Sequence, residues 1–110
     1  MANQNITMVR GDTLSFGFEI EGITQELDTA YFTCKKDLSN NPVFQKSLTD
    51  GISVVETGEN SISYRVRVAP EDTANLEIGV YNYDLEIGLN SDIYTILLGS
   101  LKIQGDVTRG

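Results

Sequence analysis

Histidine and tryptophan are absent, cysteine occurs once and proline twice. Without histidine, the commonest general base and the commonest transition-metal ligand are both missing. With Cys34 as the sole thiol, a zinc site of the usual ligand types has nothing to form from. A single cysteine makes no internal disulfide, which fits synthesis in a reducing compartment. Basic residues are scarce, 8 against 16 acidic ones, for a formal net charge of −8. Nucleic acid is bound through a basic stripe and anionic membranes through basic clusters, so neither partner is expected. No apolar run nears the roughly 20 residues of a membrane-spanning helix. Residues Met1 to Arg10 show no basic segment followed by an apolar one, so no signal peptide is expected.

What the chain does have is alternation of apolar and polar residues. From Gly79 to Leu89 the residues Gly79, Tyr81, Tyr83, Leu85, Ile87 and Leu89 share one face. A period of two is the mark of a half-buried strand. The same period predicts strands over Asn5–Val9, Thr13–Ile20, Thr29–Lys36, Val43–Leu48, Ile52–Val55, Ser61–Val68 and Ile93–Ile103. Phe16, Phe32, Cys34, Tyr64 and Val66 fall on inward faces. Turn chemistry separates these runs, as in Asp37–Pro42, Thr49-Asp50-Gly51 and Asn90-Ser91-Asp92. Pro70, followed by Glu71 and Asp72, predicts a short helical crossing to Leu76. Gly99, in the middle of the last run, suggests a kink or bulge. Strands this short, with turns about every ten residues, predict an antiparallel β-sandwich. The 110 residues make one domain, 1–110, with a polar tail over 105–110.

Few residues stand out as chemical candidates. Cys34 faces inward and has no histidine to activate it, so it reads as a small buried hydrophobe. Glu71, Asp72, Asp84, Glu86 and Asp92 form no calcium-loop pattern and read as solvated carboxylates. Arg10-Gly11-Asp12 spells an adhesion tripeptide, but a turn before a strand explains it better. No catalytic residue, cofactor-binding residue or metal ligand is expected, and the chain is read as a non-enzyme. Tyr94, Ile96 and Leu98 fall together on the outer side of the last strand, unusually apolar for a solvated face. They are the candidate interface, unless the chain's own N-terminal strand covers them.

Two resemblances add to this reading. Pro70-Glu71-Asp72-Thr73-Ala74, followed by Gly79-Val80-Tyr81-Asn82-Tyr83, resembles the corner leading into strand F of immunoglobulin domains. Tyr81 would be the corner tyrosine, and Tyr83 stands where antibody domains carry their second cysteine. Phe16 and Phe18 occupy the strand that would hold the first. The resemblance implies an immunoglobulin-like antiparallel β-sandwich of seven to eight strands, with Pro70, Asp72, Gly79, Tyr81 and Tyr83 as its structural corner.

The second resemblance spans nearly the whole chain. Its motifs are Ile6-Thr7-Met8-Val9-Arg10-Gly11-Asp12-Thr13, Leu27-Asp28-Thr29-Ala30, Ala69-Pro70-Glu71-Asp72-Thr73-Ala74 and Gly79-x-Tyr81-x-Tyr83-Asp84. Tyr94-Thr95, Leu98-Gly99-Ser100-Leu101-x-Ile103 and Asp106-Val107-Thr108 follow. In this order they resemble the immunoglobulin-like domain of phage and prophage tail proteins, as in the N-terminal domains of baseplate upper proteins. The resemblance implies a virion structural module made in the bacterial cytoplasm, which docks on other tail or baseplate proteins. A receptor-binding or trimerising region is not expected in it, and a homo-oligomer is left open. The alternative is a carbohydrate- or cell-surface-binding sandwich, for which Tyr31 and Tyr94 are the outward aromatics; a small hydrolase ranks last.

Overall fold

The alternation resolves into nine strands and one helical turn in the computed structural model, which describes residues 2–37 and 41–107. The expected loop 37–42 and tail 105–110 extend at 38–40 and 108–110 outside the described residues. In chain order the elements are β1 (Ala2–Asn3), β2 (Ile6–Val9), β3 (Leu14–Glu21), β4 (Thr29–Lys35) and β5 (Phe44–Ser47). They continue with β6 (Ile52–Thr57), β7 (Ser61–Val68), α1 (Pro70–Thr73), β8 (Gly79–Leu89) and β9 (Asp92–Gln104). One sheet runs β1-β9-β8-β4-β5, with β2 also on β9; the other is β3-β7-β6. The strands β3, β7 and β6 take the places of B, E and D of an immunoglobulin domain, and β9, β8, β4 and β5 those of G, F, C and C′.

The alternation read between Gly79 and Leu89 is the alternation observed. Tyr81, Tyr83, Leu85 and Ile87 are buried between the sheets, while Val80 and Asn82 are exposed. Ala30, Phe32 and Cys34 of β4 meet Ile62, Tyr64, Val66 and Val68 of β7 in the same core. Phe32 has no exposed surface and touches three rings: Phe16 edge-on at 5.3 Å, Tyr83 at 5.3 Å and Phe44 at 6.1 Å.

The structure departs from the sequence reading at four places. The larger sheet is mixed, because β1 and β2 run parallel to β9. A period of two is the same for either direction, so alternation could not tell them apart. The helical turn ends at Thr73 rather than Leu76, closed by an i−3 bond from the Leu76 N–H to the Thr73 carbonyl. The β8–β9 loop is only Asn90 and Ser91, both at positive φ (53° and 72°), as a two-residue hairpin turn of the primed type requires. Finally, the bulge in β9 lies at Ile96, where Leu85 pairs with Leu97 but Glu86 with Thr95.

Gly99 has a different purpose from the expected bulge. The chain between β1 and β2 crosses close over it. The Gln4 N–H donates to the Leu98 carbonyl at 2.9 Å and the Ser100 N–H to Asn5 Oδ1 at 3.2 Å. A Cβ on residue 99 would lie 2.8 Å from the Gln4 carbonyl carbon and closer still to its oxygen. Backbone cannot swing aside as a side chain can, so Gly99→Ala is expected to push the Gln4 segment off β9. The expected loss is about 1–3 kcal/mol, typical of overpacking. Urea unfolding checks the stability, and faster amide exchange at Gln4 checks the location; unchanged exchange there would count against this role for Gly99.

Candidate docking surface

Strand β3 alternates cleanly, yet its inward side chains are not fully covered. Leu14, Phe16, Phe18 and Ile20 are all only half-buried, whereas their cross-strand partners on β7, Val68, Val66, Tyr64 and Ile62, are at most 1% exposed. The cause is topological. The N-terminal strands lie on β9 of the other sheet, so among the described residues β3 is an edge with a neighbour on one side only. Between this edge and the N-terminal part of the opposite sheet opens a groove of about 600 Å³. Leu14, Phe16, Phe18 and Ile20 form one wall; Ile6, Leu85, Ile96 and Leu97 form the other; Gln4 and Glu19 stand on the rim.

The ladder also tells which backbone groups face the open edge. The Gly22 N–H donates to the Asn60 carbonyl at 2.6 Å, and the Arg67 N–H to the Gly51 carbonyl at 2.8 Å on the far side of β7. In an antiparallel ladder bonding direction alternates along a strand. The even-numbered residues of β3 therefore bond β7, and Ser15, Gly17, Glu19 and Glu21 aim their N–H and C=O groups outward. The eight β3–β7 pairs run without a register shift. Natural edges are usually blunted by charged side chains, proline, a bulge or an inward charge. Strand β3 carries Glu19 and Glu21 on its outer face but no proline, bulge or inward charge in its Leu-Ser-Phe-Gly-Phe-Glu-Ile-Glu sequence.

The expected outer trio divides at the bulge. Residues directly opposite in a ladder share a face, and Tyr94 pairs with buried Ile87, which puts it on the core-facing side, beyond the cover of the smaller sheet and 54% exposed. Ile96 lines the groove, while Leu98, opposite Asp84 and Asn3, stays on the outer face. Tyr94, Ile96 and Leu98 thus form no common outer patch; one extra residue reversed the parity. Tyr31, opposite Glu86, is on the outer face of the larger sheet, so the two aromatics of the carbohydrate reading are also apart.

The residues expected at the corner tie down different segments. The Tyr81 hydroxyl donates to the Glu77 carbonyl at 2.6 Å, four residues upstream, the bond of a tyrosine corner. The Tyr83 hydroxyl donates to the Gln4 carbonyl at 2.5 Å and so holds the N-terminal crossing. Gly79 opens β8 opposite Ile103, and Pro70 begins the helical turn. Asp72 Oδ2 accepts the Ala69 N–H at 2.7 Å and the Lys46 ammonium at 2.9 Å. Lys46, on the inward side of β5, is 5% exposed and also reaches Asp50 at 3.2 Å. Burial opposes the charge of Lys46, but its hydrogen bonds to Asp72 and Asp50 and their charges outweigh it and hold the ammonium above its ordinary range. The Arg-Gly-Asp turn is tied to the same corner, since the Gly11 N–H donates to the buried Thr73 hydroxyl at 2.8 Å.

The carboxylates named from the sequence do not converge: Asp72 holds Lys46, Asp84 and Glu86 lie on an outer face, and Asp92 is at the hairpin end. Among the described residues, no group of three or more His, Cys, Asp or Glu side chains gathers. Burial pushes the Asp84 carboxyl up, with the Lys35 charge opposing. Burial also pushes the Cys34 thiol up to about 12 from 9.0, and raises Tyr64, Tyr81 and Tyr83.

These shifts set a pH window. A group whose folded pKa is raised gives stability that is whole below its unfolded value and lost as pH climbs through the folded one. Stability is therefore expected to fall as pH rises from 9 toward about 12, the span set by Cys34. With no histidine in the chain it should be nearly flat from about pH 6 to about pH 8. Urea midpoints across this range check the curve, and Cys34→Ala should lessen the alkaline slope. A native thiol that reacts with disulfide reagents as fast as free cysteine at neutral pH would contradict the burial behind it.

The groove and the open edge were missed in the sequence, because the alternation of β3 says which side is apolar, not whether anything covers it. No family model matches the sequence. No curated protein matches it either. Among solved structures, the chain is similar to part of a family 123 glycoside hydrolase from Clostridium perfringens, at 12% identity and a TM-score of 0.63. The match covers 97% of this chain but 24% of that one, so the chain spans about a quarter of its length; at this identity the likeness is one of fold.

Proposed function

We propose that this chain is a non-enzymatic assembly module of a phage or prophage tail or baseplate, docking on other virion proteins. The observation that supports docking best is the open β3 edge above an apolar groove. A sandwich that had only to be stable gains nothing from leaving four large apolar side chains of β3 half-buried beside unpaired backbone. The tail context comes from the ordered motifs that run from Ile6 to Thr108. The non-enzymatic part is supported by the lack of histidine and by a sole thiol that burial keeps protonated.

The test is to mix the purified chain with the tail and baseplate proteins encoded beside it and to measure complex mass by light scattering. A stable complex with one of them is expected. Binding to none of them would overturn the assembly reading. A parallel glycan array separates the alternative: retention of a defined glycan, with no virion protein bound, would replace assembly by carbohydrate binding.

A further inference from the structure

We infer that the β3 edge receives an extended segment of a partner protein, which adds as a fourth strand beside β3 and carries basic residues where it passes Glu19 and Glu21. The inference deepens the assembly reading and rests on it. Three features define the occupant. The outward N–H and C=O groups of Ser15, Gly17, Glu19 and Glu21 repeat at the spacing of a ladder, so another strand can pair with all of them at once. The groove beside them takes apolar side chains, which in a strand come at every second residue. The eight residues of β3 match a partner strand of about eight residues, some 26 Å long at the usual rise.

Charge decides which strand. On the outward side of β3 the occupant's intervening residues would lie beside Glu19 and Glu21. Across the ladder these two face Ser63 and Ser61, so neither directly opposite position offers a cation. The Ser63 hydroxyl donates to Glu19 at 3.4 Å, while Arg65, opposite Gly17, leans to Ser15 at 3.3 Å and Arg67 stands opposite Ser15, so the cations of this face lie along the other half of β3. A lysine or arginine from the incoming strand completes this edge. A second copy of the chain is disfavoured, because it brings the same acidic edge and a further net charge of −8. An enclosed small molecule would leave the outward backbone groups of β3 without partners.

The experiment selects a displayed library of random twelve-residue peptides on the intact, immobilised chain, and measures the winners by titration. Enriched peptides are expected to alternate apolar with polar residues and to carry Lys or Arg toward the end that passes Glu19 and Glu21. On binding, the amides of Ser15, Gly17, Glu19 and Glu21 should exchange at least about tenfold more slowly, as ladder formation demands. Two variants place the site. Ser15→Pro removes one outward N–H without touching the bonds to β7, and should abolish binding. Glu19→Lys leaves the backbone whole and should weaken basic peptides about tenfold. Circular dichroism and unfolding midpoints establish that each variant is folded.

Enriched peptides without alternation, or no enrichment, would overturn the inference. So would slowed exchange elsewhere than on β3, or a dimer of the chain that Ser15→Pro dissolves. The two levels fail separately. If a virion protein binds wild type and Ser15→Pro equally, docking lies elsewhere and only the strand site falls. If the peptides bind as described but no virion protein does, the strand site stands and the tail assignment falls.

Discussion

Asp72→Ala is expected to lose about 3 kcal/mol of stability, the lower end of the range for breaking a buried ion pair. Two groups lose a partner at once. The Lys46 ammonium, with 6% of its side chain exposed, keeps only Asp50, whose own side chain is 66% exposed. The buried Ala69 N–H loses the carboxylate that accepts it. An unpaired buried donor and an undercompensated buried charge both carry the desolvation they had offset. Asp50 is why the loss falls at the low end. Lys46→Met should cost less, because Asp72 still caps Ala69 and lies nearer the solvent. Replacing both by apolar residues should recover part of the Asp72→Ala loss. Urea unfolding of the three variants measures this order; a loss under about 1 kcal/mol for Asp72→Ala would mean the pair behaves as a surface ion pair.

Phe32→Ala is the second large effect, at about 3–5 kcal/mol for removal of a buried ring. Phe32 has no exposed surface and lies among Phe16, Phe44 and Tyr83, so the hole opens at the centre of the sandwich. How far that hole collapses decides where in the range the loss falls. Phe16 is the neighbour freest to move, because it stands in the open groove rather than under a strand. If it moves in, the groove deepens, and peptides selected on the β3 edge should change their preferred apolar residues. Calorimetry gives the loss; a change under about 1 kcal/mol would show that the ring is not the centre of the core.

Both effects follow from residues the sequence had already placed, Asp72 in the first turn after Pro70 and Phe32 on an inward face. Their partners were less visible. Nothing in Phe44-Gln45-Lys46-Ser47 says that a lysine on the inward side will be answered by an aspartate 26 residues later. A lysine at an inward position of a short strand was the available signal, and it points to a buried pair only after the corner is known.

By itself the sequence determined the period of β3, β4, β7 and β8, the inward side chains these strands give to the core and the corner around Pro70 and Tyr81, since these depend on neighbours two to four residues apart. Alternation, turn residues and local back-bonding are short-range, and they can be read from a single chain. The tertiary structure alone decided that the N-terminal strands join β9 in parallel, that one inserted residue at Ile96 turns Tyr94 and Leu98 to opposite faces, and that β3 is left as an open edge. Each of these depends on which strand lies beside which, and a pairing between residues nearly a hundred positions apart leaves no mark on the local pattern of either.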